Sequence, residues 1–436
     1  MTDQTILSLY KKFLISGLVS TDSRTIKKNS IFFALRGDNF DGNQFAQDAL
    51  DKGALYSVID DNTIESRSDR FILVDNCLKA LQDLAITHRD SLGIPVIGLT
   101  GSNGKTTTKS LLAECLKSKY VTYSTKGNLN NHIGVPLSVL DIKESCEVAV
   151  IEMGASAVGD IKQLCDISKP TIALITNISG AHLEGFKNIE GVIRGKSELF
   201  DFILKNGGKV FINNKDRVLK NFTKRFSDPI EVHGDNSFCK IKLLESEPNI
   251  IFSDSNDNEY TTNLFGEYNF ENIMMAISVS KFLGIDEEIS SDIISKYHPE
   301  ENRSQKFTFS SNCVVLDAYN ANPVSMLNAI ESVSKFSDKN KVMILGDMNE
   351  LGEFMESEHR NIGKITSRLN LDACYFVGSK MKFAHEENKS SFWFEKLSDL
   401  EDELARKKFR DTDILVKGSR SLELENIVEL LKKISV

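Results

Sequence analysis

Along the chain, short unbroken apolar runs alternate with stretches in which apolar residues recur every three or four positions. The first pattern predicts strands buried on both faces, the second amphipathic helices. In residues 1–93, SIFFAL (30–35) and FILVDN (71–76) predict strands, and AQDALDKGA (46–54) and CLKALQDLAITHRDS (77–91) predict helices. The second helix sets Leu78, Leu81, Leu84 and Ala85 on one face. From 94 to 298 the strand runs are Val96–Ile97–Leu99, EVAVIEMGA (147–155), PTIALITNIS (170–179) and GKVFINN (208–214), with helical stretches between. Residues 240–265 depart from this rhythm and predict a short antiparallel excursion. NFENIMMAISVSKFLG (269–284) returns to a helix with Ile273, Met274, Ile277 and Phe282 inward, its methionine pair serving packing. From 299 to 436, CVVLDAY, KVMILGDM, ACYFVGS and DILVKGS predict strands, each followed by a helix. The last helix, LELENIVELLKKI, sets Leu424, Ile427, Leu431 and Ile434 in one stripe. Such alternation predicts an α/β protein with parallel sheets, whose ligands collect at the C-terminal ends of the strands. At 436 residues the chain exceeds one ordinary core, and units 1–93, 94–298 and 299–436 are expected. The polar stretch HPEENRS (298–304) suits a hinge between the last two.

The strongest chemical signal follows the first central strand, in PVIGLTGSNGKTTTK (95–109). Strand, glycine turn and helix N-terminus together make an anion site: glycines let backbone N–H groups close on a phosphate, and the helix dipole favours negative charge. Lys105 is placed to reach the outer phosphates and the Thr106 hydroxyl to meet Mg²⁺. The longer phosphate-loop pattern wants Gly where Leu99 stands, so the match is to a shorter form, TGxxGKT. Glu152 and His182 fall just past two further strands, where a carboxylate and an imidazole can serve a hard cation held with the triphosphate. Asn130 and Asn131 can hydrogen-bond a polar substrate or belong to an Asn-rich loop. In the N-terminal unit, Arg24 beside Ser23 and Arg36 beside Gly37 can hold a diphosphate bidentately, or sit as solvated turn charges.

Composition narrows the class. A net charge of −9 argues against a general nucleic-acid or anionic-membrane binder. Seven cysteines at irregular spacing form no CxxC pair and suit a reducing compartment. The start MTDQTILSLYKKF has no signal-peptide pattern, and no run approaches the roughly 18 apolar residues of a membrane span. A cytoplasmic location is expected.

The ordered set TGSNGKTTTK, GNLNNHIGVP, EMGA, TNISGAHLEGF, GKSELF, GEYNFEN, DAYNANPVSM, LGDMNELG and VKGS resembles the Mur ligase family of peptidoglycan synthesis, from Asp22 to about Arg420. The resemblance implies a small α/β UDP-substrate-binding domain (1–93), a central P-loop parallel-sheet ATP-binding domain (94–298) and a C-terminal Rossmann-like domain (299–436). YNANPxSM and LGDMxELG point, within the family, to joining D-Ala-D-Ala to UDP-MurNAc-tripeptide through an acyl phosphate. The implied roles are residue-specific. Lys105, Lys196 and His182 are catalytic. Gly101, Ser102, Asn103, Gly104, Lys105, Thr106, Thr107, Asn269, Arg303 and Asp317 meet ATP. Thr106, Glu152, His182 and Lys196 serve two Mg²⁺, with Lys196 matching the lysine that the family carries as a carbamate. Ser23, Arg24, Arg36, Gly37, Asn130 and Asn131 meet the UDP substrate, and Tyr319, Asn320 and Asn322 the dipeptide. A monomer is expected, without nucleic-acid partners. The sequence departs from the family pattern at Tyr268 (usually His), Leu316 (usually the first Asp of DD-x-Y), Asn302 (usually Gly) and Asn43 (commonly His). A Mur-like ligase with another acceptor, and a P-loop ATPase or nucleotide-gated interaction module, remain the alternatives.

Overall fold

The computed structural model describes residues 3–64, 68–234 and 237–436. The N-terminal sheet is all parallel, in the order Val19–Ser20, Ile31–Phe33, Tyr56–Ile59, Phe71–Leu73. Several elements here go beyond the sequence expectation, among them the strand Val19–Ser20 and the two-stranded pair Arg36–Gly37 and Phe40–Asp41. The helix Asp3–Ser16 packs on Cys77–Ser91, and the strand Tyr56–Ile59 is only four residues long. Ser57 interrupts that strand's apolar run, and its buried hydroxyl donates to Ala46 O at 2.8 Å. Helix Cys77–Ser91 starts at Asn76, whose side chain accepts the Lys79 N–H. It packs against helices Gly134–Leu140 and Asp160–Ser168, so a continuous core joins the N-terminal sheet to one face of the central one.

The central sheet has six parallel strands in the order Ile230–Glu231, Lys209–Ile212, Ile172–Ile175, Val96–Thr100, Val148–Glu152, Thr122–Ser124. The chain starts at Val96–Thr100, goes out to the edge, returns to Val148–Glu152, then crosses to Ile172–Ile175. Winding therefore reverses beside Val96–Thr100, and a crevice opens at that strand's C-terminal end. Val96–Thr100 and Val148–Glu152 are buried at every position, which explains why their continuous apolar runs were legible. Helix Lys105–Lys117 packs on Glu267–Phe282 and Glu287–Lys296 over the second face, with Leu111, Leu112, Cys115 and Leu116 fully buried. Residues 242–261 form the expected antiparallel excursion, of three strands.

The C-terminal sheet runs Gln305–Phe309, Asn312–Asp317, Thr412–Lys417, Asn340–Gly346, Ala373–Val377, Phe392–Phe394. Only the first pair is antiparallel. The predicted helix 422–434 is broken: Arg420–Leu422 and Leu424–Ile427 are 3₁₀ turns, and only Val428–Ile434 is α. Glu423, at φ 49°, separates the turns, yet Leu424, Ile427, Leu431 and Ile434 are all buried. A spacing of three serves a 3₁₀ turn as well as an α-helix, so the stripe survives the break. Among the described residues no helix is long and apolar enough to cross a membrane.

Candidate functional site

The glycine turn after Val96–Thr100 is braced from both sides. Gly101 (φ 154°) approaches Thr176 so closely that a Cβ would lie 1.9 Å from its Oγ1. Gly104 (φ 78°) begins helix Lys105–Lys117, and a Cβ there would lie 2.3 Å from Asn272 Oδ1. Only glycine meets both demands. The Ser102 N–H donates to Asn177 O (3.0 Å), the Asn103 N–H to Asn177 Oδ1 (3.1 Å), and Thr176 Oγ1 to Asn103 O (2.6 Å). Lys105 does not extend outward. Its ammonium donates to Gly101 O and Ser102 O of its own turn, at 2.9 and 3.2 Å. Burial lowers its pKa, Glu152 opposes that shift, and Arg303 adds to it.

Behind this turn lie charges without adequate partners. Glu152 ends its strand at 2% exposure. Its Oε1 accepts from Asn130 Nδ2 at 2.8 Å, while Oε2 has no hydrogen bond and only the Lys109 ammonium 3.7 Å away. Lys196, on helix Ile189–Asn206, is fully buried, and its Nζ has no hydrogen-bond partner. The Phe186 ring centroid lies 5.5 Å from it. Burial, and then the charge of Lys105, hold the Lys196 pKa well below its ordinary value. Among the described residues no three His, Cys, Asp or Glu side chains converge on a metal position. The donor set expected here needs no such cluster, because it combines the Thr106 hydroxyl, one carboxylate, one imidazole and a modified lysine. The unsatisfied Glu152 Oε2 fits a cation, and the Lys196 Nζ is buried without a hydrogen-bond partner.

The front wall comes from the C-terminal sheet. A cleft of about 980 Å³ is lined by the glycine turn, Asn130, Asn131, Glu152, His182, Asn269, Arg303, Asp317, Tyr319, Asn320 and Asn322. Lys196 stands outside that lining. Asn322 caps helix Pro323–Ser334 through a capping box, and its Nδ2 donates to Asn103 Oδ1 at 2.7 Å, tying the C-terminal sheet to the glycine turn. Asp317 takes the Lys417 ammonium at 2.5 Å and the Ser304 N–H at 3.0 Å. The Arg303 guanidinium lies 3.5 Å from the Tyr319 ring centroid. Asn269 has a bracing role in this state: it donates to Phe265 O and accepts from Asn272, which accepts from the Thr108 hydroxyl. Tyr268, where the family usually has His, is buried with its hydroxyl unpartnered. Burial and the Asp317 charge raise its pKa.

Sequence reasoning quoted Glu350 within LGDMNELG without giving it a role. The structure brings its carboxylate onto His182 Nδ1, across the two sheets, and its carbonyl accepts the Glu184 N–H at 3.2 Å. Both paired residues hold left-handed backbone, His182 at φ 54° and Glu350 at φ 60°. Non-glycine residues hold that conformation at a cost, and such cases cluster at functional sites. The hydrogen bond from His182 lowers the Glu350 pKa. Its loop hangs on His359, fully buried, whose Nε2 accepts the Met348 N–H at 3.1 Å and whose Nδ1 pairs with Met355 O at 2.6 Å. Burial pushes the His359 pKa down to about 4. No spacing rule marks a glutamate in a turn. The left-handed backbone is visible only in the fold.

The expected UDP-substrate group divides. Ser23, Arg24, Arg36 and Gly37 lie in the N-terminal unit and do not line the cleft, whereas Asn130 and Asn131 do. Asn130 is held by Glu152, and Asn131 Oδ1 accepts the Gly134 N–H at 2.8 Å. Arg24 is paired with Asp22 (2.9 and 2.8 Å) and Arg36 with Asp60 (2.8 Å).

Comparison with known proteins follows the same three-part division. The chain matches the sequence profiles described as Mur ligase family, catalytic domain (residues 17–89), Mur ligase middle domain (99–280) and Mur ligase, glutamate ligase domain (302–420). A UDP-N-acetylmuramoyl-tripeptide--D-alanyl-D-alanine ligase of Bacillus subtilis is 33% identical over 435 residues, covering 96% of this chain and 94% of the relative. The crystal structure of MurF from Acinetobacter baumannii superposes with a TM-score of 0.84 at 28% identity, covering 95% of this chain and 93% of the other. MurF ligase from Thermotoga maritima, in complex with ADP, superposes with a TM-score of 0.84 at 26% identity over 99% of both chains. By sequence and by architecture along nearly its whole length, this chain belongs to the Mur ligase family, in its MurF-type branch.

Proposed function

We propose that the chain is an ATP-dependent ligase that joins D-alanyl-D-alanine to UDP-N-acetylmuramoyl-tripeptide, forming the pentapeptide precursor of peptidoglycan. One observation carries the reading: the 980 Å³ cleft joins a phosphate-binding turn to a polar C-terminal wall, where Asn322 touches Asn103. A bare ATPase needs no such second wall.

The tripeptide carboxylate attacks the ATP γ-phosphate, ADP leaves, and an acyl phosphate forms. The dipeptide amine then attacks the activated carbonyl, and phosphate leaves from the tetrahedral intermediate. Little covalent help is required, so positioning and charge neutralisation dominate. Residues 101–107 cradle the phosphates, and Lys105 swings from its own carbonyls to the γ-phosphate as the turn fills. Arg303, Asn269 and Asp317 face the nucleotide. Tyr319, Asn320 and Asn322 border the dipeptide. Arg24 and Arg36, with Ser23 and Gly37, exchange Asp22 and Asp60 for the UDP diphosphate, and Asn130 and Asn131 steer the peptide end toward Glu152. Thr106, Glu152, His182 and Lys196 would hold Mg²⁺, which neutralises phosphate charge. Lys196 is suited to carbamylation: burial keeps its amine neutral and nucleophilic, and addition to CO₂ releases one proton and leaves an anion facing Lys105. Residues 1–93, 94–298 and 299–436 are the donor, nucleotide and acceptor domains of a cytoplasmic monomer.

The test is phosphate release with ATP, Mg²⁺, UDP-MurNAc-tripeptide and D-Ala-D-Ala, omitting each in turn. The expected result is release that requires all four, with a pentapeptide product by mass. Release with ATP and Mg²⁺ alone overturns the reading.

A further inference from the structure

We infer that Arg420 recognises the carboxylate of the incoming dipeptide and so sets acceptor specificity, an inference that rests on the ligase reading above. Two guanidinium groups converge on Tyr319 from the C-terminal wall. Arg303 lies 3.5 Å and Arg420 5.1 Å from the ring centroid. Tyr319 lines the cleft, and Arg420 stands exposed beside it. Neither guanidinium has a carboxylate partner among the described residues, although Arg24, Arg36, Arg225 and Arg360 each do. Two like charges against one ring, with no protein anion between them, leave room for anions from outside.

The mount is rigid. The Ser419 N–H donates to Asp347 O (3.0 Å), the Asn349 N–H to Ser419 Oγ (3.1 Å) and Asn349 Nδ2 to Ser421 Oγ (3.1 Å). The loop carrying Arg420 is thus bonded to the loop carrying Glu350. Of the neighbouring lysines, Lys417 is occupied by Asp317 and Lys380 by Asn349. The Arg420 loop offers a cation with no carboxylate partner, and the loop bonded to it carries the Glu350 carboxylate, the polarity of a zwitterionic dipeptide. Arg303, which lines the cleft together with the glycine turn, is left for the nucleotide. A planar fork held against an aromatic ring is pre-organised for a carboxylate.

The experiment compares D-Ala-D-Ala with its C-terminal carboxamide as acceptors, in the full chain with ATP, Mg²⁺ and UDP-MurNAc-tripeptide. Wild type should prefer the acid by about 10- to 100-fold in kcat/KM, the range of one charged hydrogen-bonded pair. Arg420→Ala should erase that preference through a higher KM for the acid, with the amide rate and the ATP KM held. Arg420→Lys should restore part of it. Lys335→Ala, the other cleft lysine of this wall, should keep the full preference. The inference is overturned if Arg420→Ala keeps the preference, if it raises the KM for ATP instead, or if Lys335→Ala erases it. Failure of wild type to use either acceptor overturns the ligase reading itself.

Discussion

The N-terminal unit and the central cleft treat their cations in opposite ways. Arg24 and Arg36 are exposed, and each is satisfied by a neighbouring carboxylate. Lys105 is half-buried and bonded only to two carbonyls of its own turn, and Lys196 is fully buried and bonded to nothing. Surface ion pairs contribute little to stability and exchange easily with a ligand. A buried amine without a hydrogen-bond partner is costly to the fold, and burial drives Lys196 toward its neutral form. Charge at the surface is held cheaply, and the buried lysine is held at a cost.

The contrast can be broken experimentally, starting with the largest effect. Lys196→Met should lower turnover about 1000-fold or more. The same change should raise Tm by about 2–4 °C, because an apolar chain of similar length relieves the buried site. A variant that is inactive and destabilised would show that Lys196 holds the fold. Lys105→Ala should reduce phosphate release by about 100- to 1000-fold while the circular dichroism spectrum stays unchanged. Glu350→Gln weakens the bridge between the sheets, and kcat should fall about 10-fold, with small-angle scattering showing a more open average shape. An unchanged profile and rate would make the bridge incidental.

His359 extends the same logic to stability. Its folded pKa lies near 4, below the ordinary 6.5, so the neutral ring is the native form. The unfolded chain then takes up a proton first as pH falls. This contribution is complete above pH 6.5, declines as pH drops toward 4, and amounts to about 3 kcal/mol over that window. Denaturant titrations should show the slope in wild type and its loss in His359→Gln. The smallest effects belong to the surface: Arg24→Ala and Arg36→Ala should leave Tm and kcat unmoved and raise the KM for the UDP-linked donor by about 10-fold or less.

Much of the architecture was legible because central parallel strands must be apolar on both faces. Val96–Thr100, Val148–Glu152 and Ile172–Ile175 carry that mark, and the glycine turn adds a second signal where strand gives way to helix. Tyr56–Ile59 and Gln305–Phe309 were obscured, the first by an inward serine, the second because an edge strand is only half buried and mixes polar with apolar positions. The pairings around the cleft were the harder problem. Glu350, Lys109 and Lys417 acquire partners 168, 43 and 100 residues away, at His182, Glu152 and Asp317. No local periodicity encodes a meeting of that kind.

Strand Thr412–Lys417 lies between Asn312–Asp317 and Asn340–Gly346, both of which precede it in the chain. During synthesis the C-terminal sheet therefore exists first as two half-sheets with facing raw edges, and one late strand closes it. That strand also delivers Lys417 to Asp317, and the residues just beyond it join the Asp347 loop. A chain cut short before residue 412 would carry the glycine turn but lack the strand that closes the C-terminal wall. The two exposed edges would mark it as unfinished to chaperones and proteases. Closure of the C-terminal sheet thus waits on the last strand that the chain supplies.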